Sequence, residues 1–234
     1  MENVSERPLR RGLILAAAII NYAIFLTFWI VFINGITTVQ DGALAVKSLR
    51  SLKYFTVLSN LLESVAAHIM GMELISVLKG RKQEPGLKVR RLKLASTAAV
   101  AVTFIVVAVF LGPIYGYPTM FRGANLWFHL IVPLAAIFEY IFCEYLNRPA
   151  FRDTFWCAAV VFIYGLFYVG NILVNGVGEW PNRNDFYGFL LWGVPIGIVL
   201  LLAVVLIGWL AGILLRKANL AFARRLEGRS KKAE

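Results

Sequence analysis

The chain has 234 residues, of which 59% are hydrophobic and 16% are charged, and its mean hydropathy is +0.72. This composition excludes an ordinary soluble domain and is typical of a protein that crosses a membrane several times. The formal charge of +11 would also suit a nucleic-acid-binding protein. However, the basic residues cluster in alternate loops between apolar segments, which membrane topology explains, so we predict no nucleic acid partner.

Six apolar segments are each about 20 residues long or longer, which is the length that crosses a bilayer as a helix. Together they use nearly the whole chain, so the sequence predicts an all-α, polytopic bundle of six transmembrane helices. We expect a single integral membrane domain over residues 1–234. The predicted spans are approximately residues 12–35, 54–78, 92–111, 124–146, 153–175 and 187–215.

The loops between the predicted spans fall alternately on two sides of the membrane, and 19 of the 24 Lys and Arg residues lie on one side. The loop from Lys79 to Lys93 alone supplies seven of them. Because cytoplasmic loops carry the excess of basic residues, this distribution predicts that both termini are cytoplasmic.

The second predicted span opens with a polar stripe. Four polar residues follow the spacing i, i+3, i+4 and i+7, which places them on one face of a helix. Polar side chains at membrane depth are costly unless they meet other polar groups in a bundle or cavity, so this stripe predicts a functional site. For the last of the four, a structural hydrogen-bond anchor is the alternative. The residues are Thr56, Ser59, Asn60 and Glu63.

The fourth predicted span carries a histidine that can meet this stripe. Asn125 and His129 are spaced i, i+4 and share a face, and Pro133 removes the backbone hydrogen bond to residue 129, so we expect a loosened helix there. His129 and Thr56 each lie about one turn below the outer surface. A hydroxyl and an imidazole at one depth can meet, although a histidine with a structural role only is the alternative.

The fifth predicted span shows a second polar stripe at its outer half. Its residues Tyr164, Tyr168, Asn171 and Asn175 follow the spacing i, i+4, i+7 and i+11. Anchoring at the membrane interface explains part of this pattern. The alternative is that these amide and phenol groups face the same outer cavity as Thr56.

The two histidines do not predict a cofactor. His68 and His129 lie about 13 Å apart along the bundle axis, at 1.5 Å per residue, which is too far for a haem with two histidine ligands. A di-metal site lacks a second carboxylate or histidine at either depth. We therefore expect no cofactor and no metal, and we interpret Cys143 and Cys157 as small buried hydrophobic residues.

Two motifs resemble a known family. Lys53-Tyr54-Phe55-Thr56 opens one span, and Asn125-x-x-x-His129 with Pro133 follows two spans later. This arrangement is similar to the androgen-induced-gene and FAR-17a-like family of transmembrane threonine hydrolases, and the motifs look most like its bacterial branch. The likeness covers all six spans in layout and is specific in the two motifs. It implies an integral protein of a bacterial cytoplasmic membrane with its site near the extracytoplasmic side.

The resemblance implies that Thr56 is a nucleophile and that His129 is its general base. Animal members hydrolyse fatty acid esters of hydroxy fatty acids, so the implied substrates and partners are lipid esters or other membrane lipids. Asn60, Asn125, Asn171 or Asn175 could donate a hydrogen bond to the developing oxyanion. Glu63 and Tyr168 are further candidates for substrate contact.

Two parts of the chain depart from the animal sequences. They are the continuation Ser59-Asn60-x-x-Glu63 and the pair Asn171 and Asn175, so neither the oxyanion donors nor the exact substrate is carried over. Ser59 remains an alternative nucleophile to Thr56. A non-catalytic membrane protein that binds or transports a lipid or small molecule is the alternative function. The oligomeric state is not predicted.

Overall fold

The computed structural model describes residues 8–37, 48–179 and 183–232. Within these ranges the chain is mainly helical, and six helices are long and apolar enough to cross a membrane. This confirms the predicted all-α fold with six spans. The helices are α1 (Pro8–Thr37), α2 (Phe55–Leu78), α3 (Leu87–Val106), α4 (Ala124–Phe142), α5 (Phe155–Asn175) and α6 (Val194–Lys232).

Successive helices run antiparallel, so the bundle has two distinct ends. At the end where α1 begins, Ile14 packs in one cluster with Leu74 near the end of α2 and Ala223 near the end of α6. At the other end, Phe55 at the start of α2 packs with Val161 and Tyr164 of α5. We call the first the terminal end and the second the loop end.

The outward faces of the helices are apolar. Among the described residues, several large hydrophobic side chains are mostly exposed, including Val109, Phe167, Leu173 and Val174, which are 73% to 82% exposed. A continuous apolar exterior is unstable in water but is the normal surface of a protein in lipid. The fold is therefore that of an integral membrane protein.

Two helices begin at positions that differ from the predicted spans. The third helix begins at Leu87, directly after Pro85 and Gly86, rather than near residue 92. The sixth begins at Val194 rather than near residue 187, because a short 3₁₀ turn, Phe189–Trp192, comes first and Gly193 has a φ of +87°. A positive φ favours glycine and interrupts a right-handed helix, so the apolar run from residue 187 is broken there.

Two π-helical turns lie just before prolines at the loop end. Val107–Leu111 follows α3 and precedes Pro113, and Trp127–Ile131 lies inside α4 and precedes Pro133. Proline cannot donate a backbone hydrogen bond, which frees a carbonyl one turn earlier and lets the helix widen locally. The loosened helix predicted beside His129 is confirmed as the second of these turns.

Candidate active site at the loop end

Thr56 lies in the first turn of α2, where backbone N–H groups lack partners within the helix. The preceding Tyr54 has extended backbone, and the N–H of Phe55 donates a hydrogen bond of 2.8 Å to the hydroxyl of Tyr187. Tyr187 comes from the loop before α6, so a distant segment caps the helix beside Thr56. Burial raises the pKa of Tyr187 to about 12, which keeps its hydroxyl neutral at ordinary pH.

Thr56 is half-buried between two packed clusters. Its neighbour Phe55 packs against Val161 of α5, whereas Val57 on the other side packs against Phe128 of α4. Because consecutive residues of a helix are about 100° apart, Thr56 faces the groove between these two contacts.

A cavity of about 230 Å³ lies on the α5 side of Thr56. Its wall is formed by α2, α3, α5, α6 and the loop before α6, and nearly all of the lining side chains are apolar. The lining residues that carry a hydroxyl are Thr56, Thr103 and three tyrosines, Tyr164, Tyr168 and Tyr187. The cavity suits an apolar chain that carries a small polar group.

Ser59 and Asn60 fix the backbone around Thr56. The Ser59 hydroxyl lies 3.1 Å from the Thr56 carbonyl oxygen, which accepts its hydrogen bond, and 2.9 Å from the Thr103 hydroxyl. The amide nitrogen of Asn60 donates to the carbonyl oxygens of Thr56 at 2.7 Å and of Phe128 at 3.0 Å. One buried amide therefore joins the first turn of α2 to the π-helical turn of α4.

His129 is buried in that π-helical turn, with 7% of the residue exposed. Its Nδ1 lies 2.8 Å from the carbonyl oxygen of Met120, in the loop before α4. A carbonyl oxygen only accepts hydrogen bonds, so Nδ1 must carry the proton, and in the neutral ring Nε2 keeps a free electron pair. A backbone carbonyl therefore orients the ring.

The structure brings some predicted site residues together and separates others. Thr56 and Tyr168 line the cavity, whereas His129 does not, and the link between Thr56 and His129 is the Asn60 amide that holds their neighbouring backbones. Asn125 is buried on α4 one turn before His129. The catalytic roles assigned to Thr56 and His129 stay predictions.

The second polar stripe mainly holds the loop before α6. Asn171 donates to Asn184 at 3.1 Å, and Asn175 donates to Asn171 at 3.0 Å. The hydroxyl of Tyr168 donates to the carboxylate of Asp185. These bonds tie the end of α5 to the loop that supplies Tyr187, so part of the stripe supports the site indirectly.

Glu63 lies apart from the cavity, in a buried ion pair. One carboxylate oxygen is 2.5 Å from the Lys93 ammonium, and the other accepts hydrogen bonds from the hydroxyls of Ser96 at 2.6 Å and Thr97 at 3.3 Å. The prediction that Lys93 belongs to the basic loop between the second and third spans is wrong. Lys93 lies inside α3 and is fully buried. The anchoring role considered for Glu63 matches these contacts, and a role in substrate binding stays a prediction.

Sequence reasoning missed four residues that shape the site or its supports: Thr103, Met120, Lys93 and Tyr187. The signal for Lys93 was weak, because it lies between Leu92 and Leu94 but directly follows the basic pair Arg90 and Arg91. The contribution of Met120 is a backbone carbonyl, which no side-chain pattern reveals.

No family model matches the chain, and no curated protein or solved structure matches it either.

Proposed function

We propose that the protein is an intramembrane hydrolase of lipid esters, such as fatty acid esters of hydroxy fatty acids, with Thr56 as nucleophile and His129 as general base. The observation that carries this proposal is the hydrogen bond from His129 Nδ1 to the Met120 carbonyl, which leaves Nε2 as the basic nitrogen. The resemblance of both motifs to the transmembrane threonine hydrolases supports the same assignment.

In the proposed reaction, His129 Nε2 removes the proton of the Thr56 hydroxyl as the oxygen attacks the ester carbonyl carbon. The ester C–O bond breaks, and His129 returns the proton to the departing alcohol. Water that His129 deprotonates then attacks the acyl-threonine, which releases the fatty acid and restores Thr56. An imidazole suits both steps because its ordinary pKa lies near neutrality.

The apolar cavity would hold an acyl chain with its ester group beside Thr56. Both amide hydrogens of Asn60 are directed to backbone carbonyls. Asn171 donates to Asn184 in the loop before α6, and Asn175 donates to Asn171, so these amides are engaged elsewhere. Thr103 also lines the cavity, but its hydroxyl lies 2.9 Å from that of Ser59, which itself donates to the Thr56 carbonyl, and 3.4 Å from the Ala99 carbonyl oxygen. Thr103 would therefore have to give up one of these bonds to donate to the oxyanion, a contact worth about 3 kcal/mol when well aligned.

The proposed orientation places both termini in the cytoplasm and the loop end at the extracytoplasmic side of a bacterial cytoplasmic membrane. Removing the buried Lys93 from the count still leaves 18 basic residues on the terminal side against five on the other. Glu179 is exposed at the loop end, and both native cysteines are buried. In intact cells, a Glu179→Cys variant should react with an impermeant maleimide, and protection until lysis would reverse the orientation.

A fluorophosphonate probe tests the catalytic assignment. Purified protein is incubated with the probe, the modified residue is mapped by mass spectrometry, and hydrolysis of a fatty acid ester of a hydroxy fatty acid is measured in parallel. Labelling at Thr56 and hydrolysis should both disappear in Thr56→Ala and His129→Ala. His68→Ala is the matched control, because His68 packs between Tyr22 and Phe25 and should leave both readouts unchanged.

Two results would overturn the assignment. Labelling at Ser59 instead of Thr56 would transfer the nucleophile to Ser59. An unmodified Thr56 together with saturable lipid binding and no hydrolysis would favour the non-catalytic alternative, in which the cavity binds or transports a lipid.

A further inference from the structure

A second cluster of polar side chains lies buried toward the terminal end, away from the proposed active site. Lys93 lies between two carboxylates, with its ammonium 2.5 Å from Glu63 and 3.1 Å from Glu139. Glu144 follows α4 in the chain and belongs to the same cluster. All four residues are at most 2% exposed. One potential cation thus shares a buried site with three potential anions.

This charge balance is unfavourable if all three acids are ionised. The cluster would then carry two negative charges in excess, and an uncompensated charge away from water is so costly that a buried group takes up a proton instead. Glu63 is the acid best satisfied as a carboxylate, because Lys93, Ser96 and Thr97 all donate to it. The excess charge therefore falls on Glu139 and Glu144.

Glu139 and Glu144 meet at the side chain of Asn21 on α1. The Asn21 amide nitrogen lies 2.7 Å from one oxygen of Glu139 and 3.5 Å from one oxygen of Glu144, and it also donates to the Ala17 carbonyl. The other oxygen of Glu144 accepts a hydrogen bond of 3.0 Å from Asn147. The amide donors around the two acids are therefore already in use.

The same cluster contains buried acceptor atoms for which the described residues supply no hydrogen-bond donor. They are the side-chain carbonyl oxygens of Asn21 and Asn147. The second oxygen of Glu139 contacts the Lys93 ammonium at 3.1 Å. A buried acceptor without a donor is rare and indicates a missing hydrogen. A protonated carboxyl group is a hydrogen-bond donor. One bound proton would therefore both donate to a buried acceptor and reduce the excess negative charge.

We propose that Glu139 and Glu144 form a proton-binding pair, which holds at least one proton at neutral pH and exchanges it through the terminal end of the bundle. A metal cation is the less suitable ligand, because the Lys93 ammonium already fills the position between Glu63 and Glu139. The described residues also contain no group of three or more metal-binding side chains arranged around a common point.

A small cavity supplies a route for the exchange. It has a volume of about 10 Å³, enough for about one water molecule. Its wall includes Glu144 and Asn147 on one side and Pro85, from the loop between α2 and α3, on another. Glu144 is thus the member of the pair nearest to solvent at the terminal end.

The surroundings of the pair favour the protonated form. Burial is the largest cause that raises the pKa of Glu144, Lys93 lowers it, and Glu63 adds a smaller repulsion that raises it. The titratable groups that interact with the pair are Glu63 on α2, Lys93 on α3, Tyr140 on α4 and Cys143 directly after α4. Asp153 and Cys157, near the start of α5, interact with Tyr140.

Infrared spectroscopy tests the proposal because the C=O stretch of a protonated carboxyl group is distinct from the bands of a carboxylate and shifts in D₂O. Purified wild-type protein at neutral pH should show this band, and its intensity should fall as the pH is raised. Glu139→Gln and Glu144→Gln should each reduce the band. Glu84→Gln is the matched control, because Glu84 is exposed and pairs with Arg90 at the surface.

A wild-type spectrum with no protonated carboxyl band at neutral pH would overturn the proposal, and this measurement does not depend on whether any variant folds. A band that keeps its full intensity in both glutamine variants would also overturn it. Neither result depends on the catalytic assignment of Thr56 and His129.

Discussion

At the terminal end of the bundle, Lys93 lies between buried carboxylates, whereas the buried polar groups around Thr56 at the loop end are hydroxyls, amides and an imidazole. Both ends place polar atoms inside an apolar bundle. At the terminal end, Lys93 pairs with Glu63 and Glu139 across α2, α3 and α4, and the cluster keeps an excess of acidic groups and of hydrogen-bond acceptors. At the loop end, neutral groups bond mainly to backbone carbonyls of α2, of the π-helical turn in α4 and of the loop before α4.

The difference indicates separate tasks for the two ends. A neutral wall beside the 230 Å³ cavity lets an apolar ligand approach without displacing a charge from its partner. The ion pairs of Lys93 with Glu63 and Glu139 join α2, α3 and α4, and their loss leaves a charge without a counterion. Substitutions at the terminal end should therefore affect folding, and those near Thr56 should affect chemistry.

The largest expected effect follows from removing the buried cation. Lys93→Met leaves Glu63 and Glu139 without their ammonium partner, and breaking a buried ion pair in this way costs about 3 to 5 kcal/mol. We expect a large fall in folded protein and in the apparent unfolding temperature in detergent. The matched control is Lys82→Met, because Lys82 is 47% exposed and pairs with Glu73 at the surface. If both variants lost the same amount of stability, the buried ion pair would not be more important for folding than the exposed one.

A pair of asparagines compares the two ends directly. Asn60 donates to the carbonyls of Thr56 and Phe128 at the loop end, and Asn219 donates to those of Tyr140 and Glu144 at the terminal end. Each alanine variant removes two buried hydrogen bonds donated by the amide and should lose about 1 to 3 kcal/mol of stability. Only Asn60→Ala should also reduce probe labelling at Thr56. If Asn219→Ala reduced labelling at Thr56 as strongly as Asn60→Ala, at equal stability, the site at the loop end would depend on the packing of the terminal end.

The pH dependence of stability should come from the terminal end. The pKa of Glu144 is raised in the folded protein, so the folded state holds a proton that the unfolded state releases. This stabilisation is complete below the unfolded pKa and is lost as the pH rises through the folded pKa. Glu144→Gln should flatten the decline of the unfolding temperature from mildly acidic to mildly alkaline pH. The Cys143 thiol, whose pKa is raised to about 11, affects stability only at higher pH.

Glu84→Gln is the control, and its unfolding temperature should depend on pH as that of the wild type does. If Glu144→Gln kept the full wild-type decline, Glu144 would not be the source of the pH dependence.

The smallest effect is expected at the cap of α2. Tyr187→Phe removes the hydroxyl that accepts the Phe55 N–H bond, and one hydrogen bond of this kind contributes about 0.5 to 1.5 kcal/mol. A modest fall in unfolding temperature should result, while Tyr115→Phe, at an exposed position, should cause none. A fall of several kcal/mol in the free energy of unfolding would mean that Tyr187 stabilises the bundle through more than this one hydrogen bond.

The number of spans could be predicted from the sequence because the length of an apolar run is a local property. The boundary at Leu87 could not, since Lys88, Arg90 and Arg91 make the start of α3 look like a loop by composition. That misreading also placed Lys93 in solvent. Its partner Glu63 is 30 residues away in the chain, so their contact depends on how two helices pack.

The candidate site was predictable in its residue types but not in its geometry. Periodicity placed Thr56, Ser59 and Asn60 on one face of α2, and Pro133 indicated the disturbed helix at His129. The orientation of the His129 ring depends on the Met120 carbonyl, and the start of α2 depends on Tyr187 from 132 residues away. Such contacts come from loops whose paths no periodic pattern specifies.

The length of α6 has a mechanical consequence. At 1.5 Å per residue its 39 residues extend for about 58 Å, roughly twice the hydrocarbon thickness of a bilayer. Leu201 and Val204 of this helix belong to the cavity wall, while Ala223 near its other end packs with Ile14 and Leu74 at the terminal end. A tilt imposed at the terminal end would therefore be carried by one continuous helix to the wall that faces Thr56.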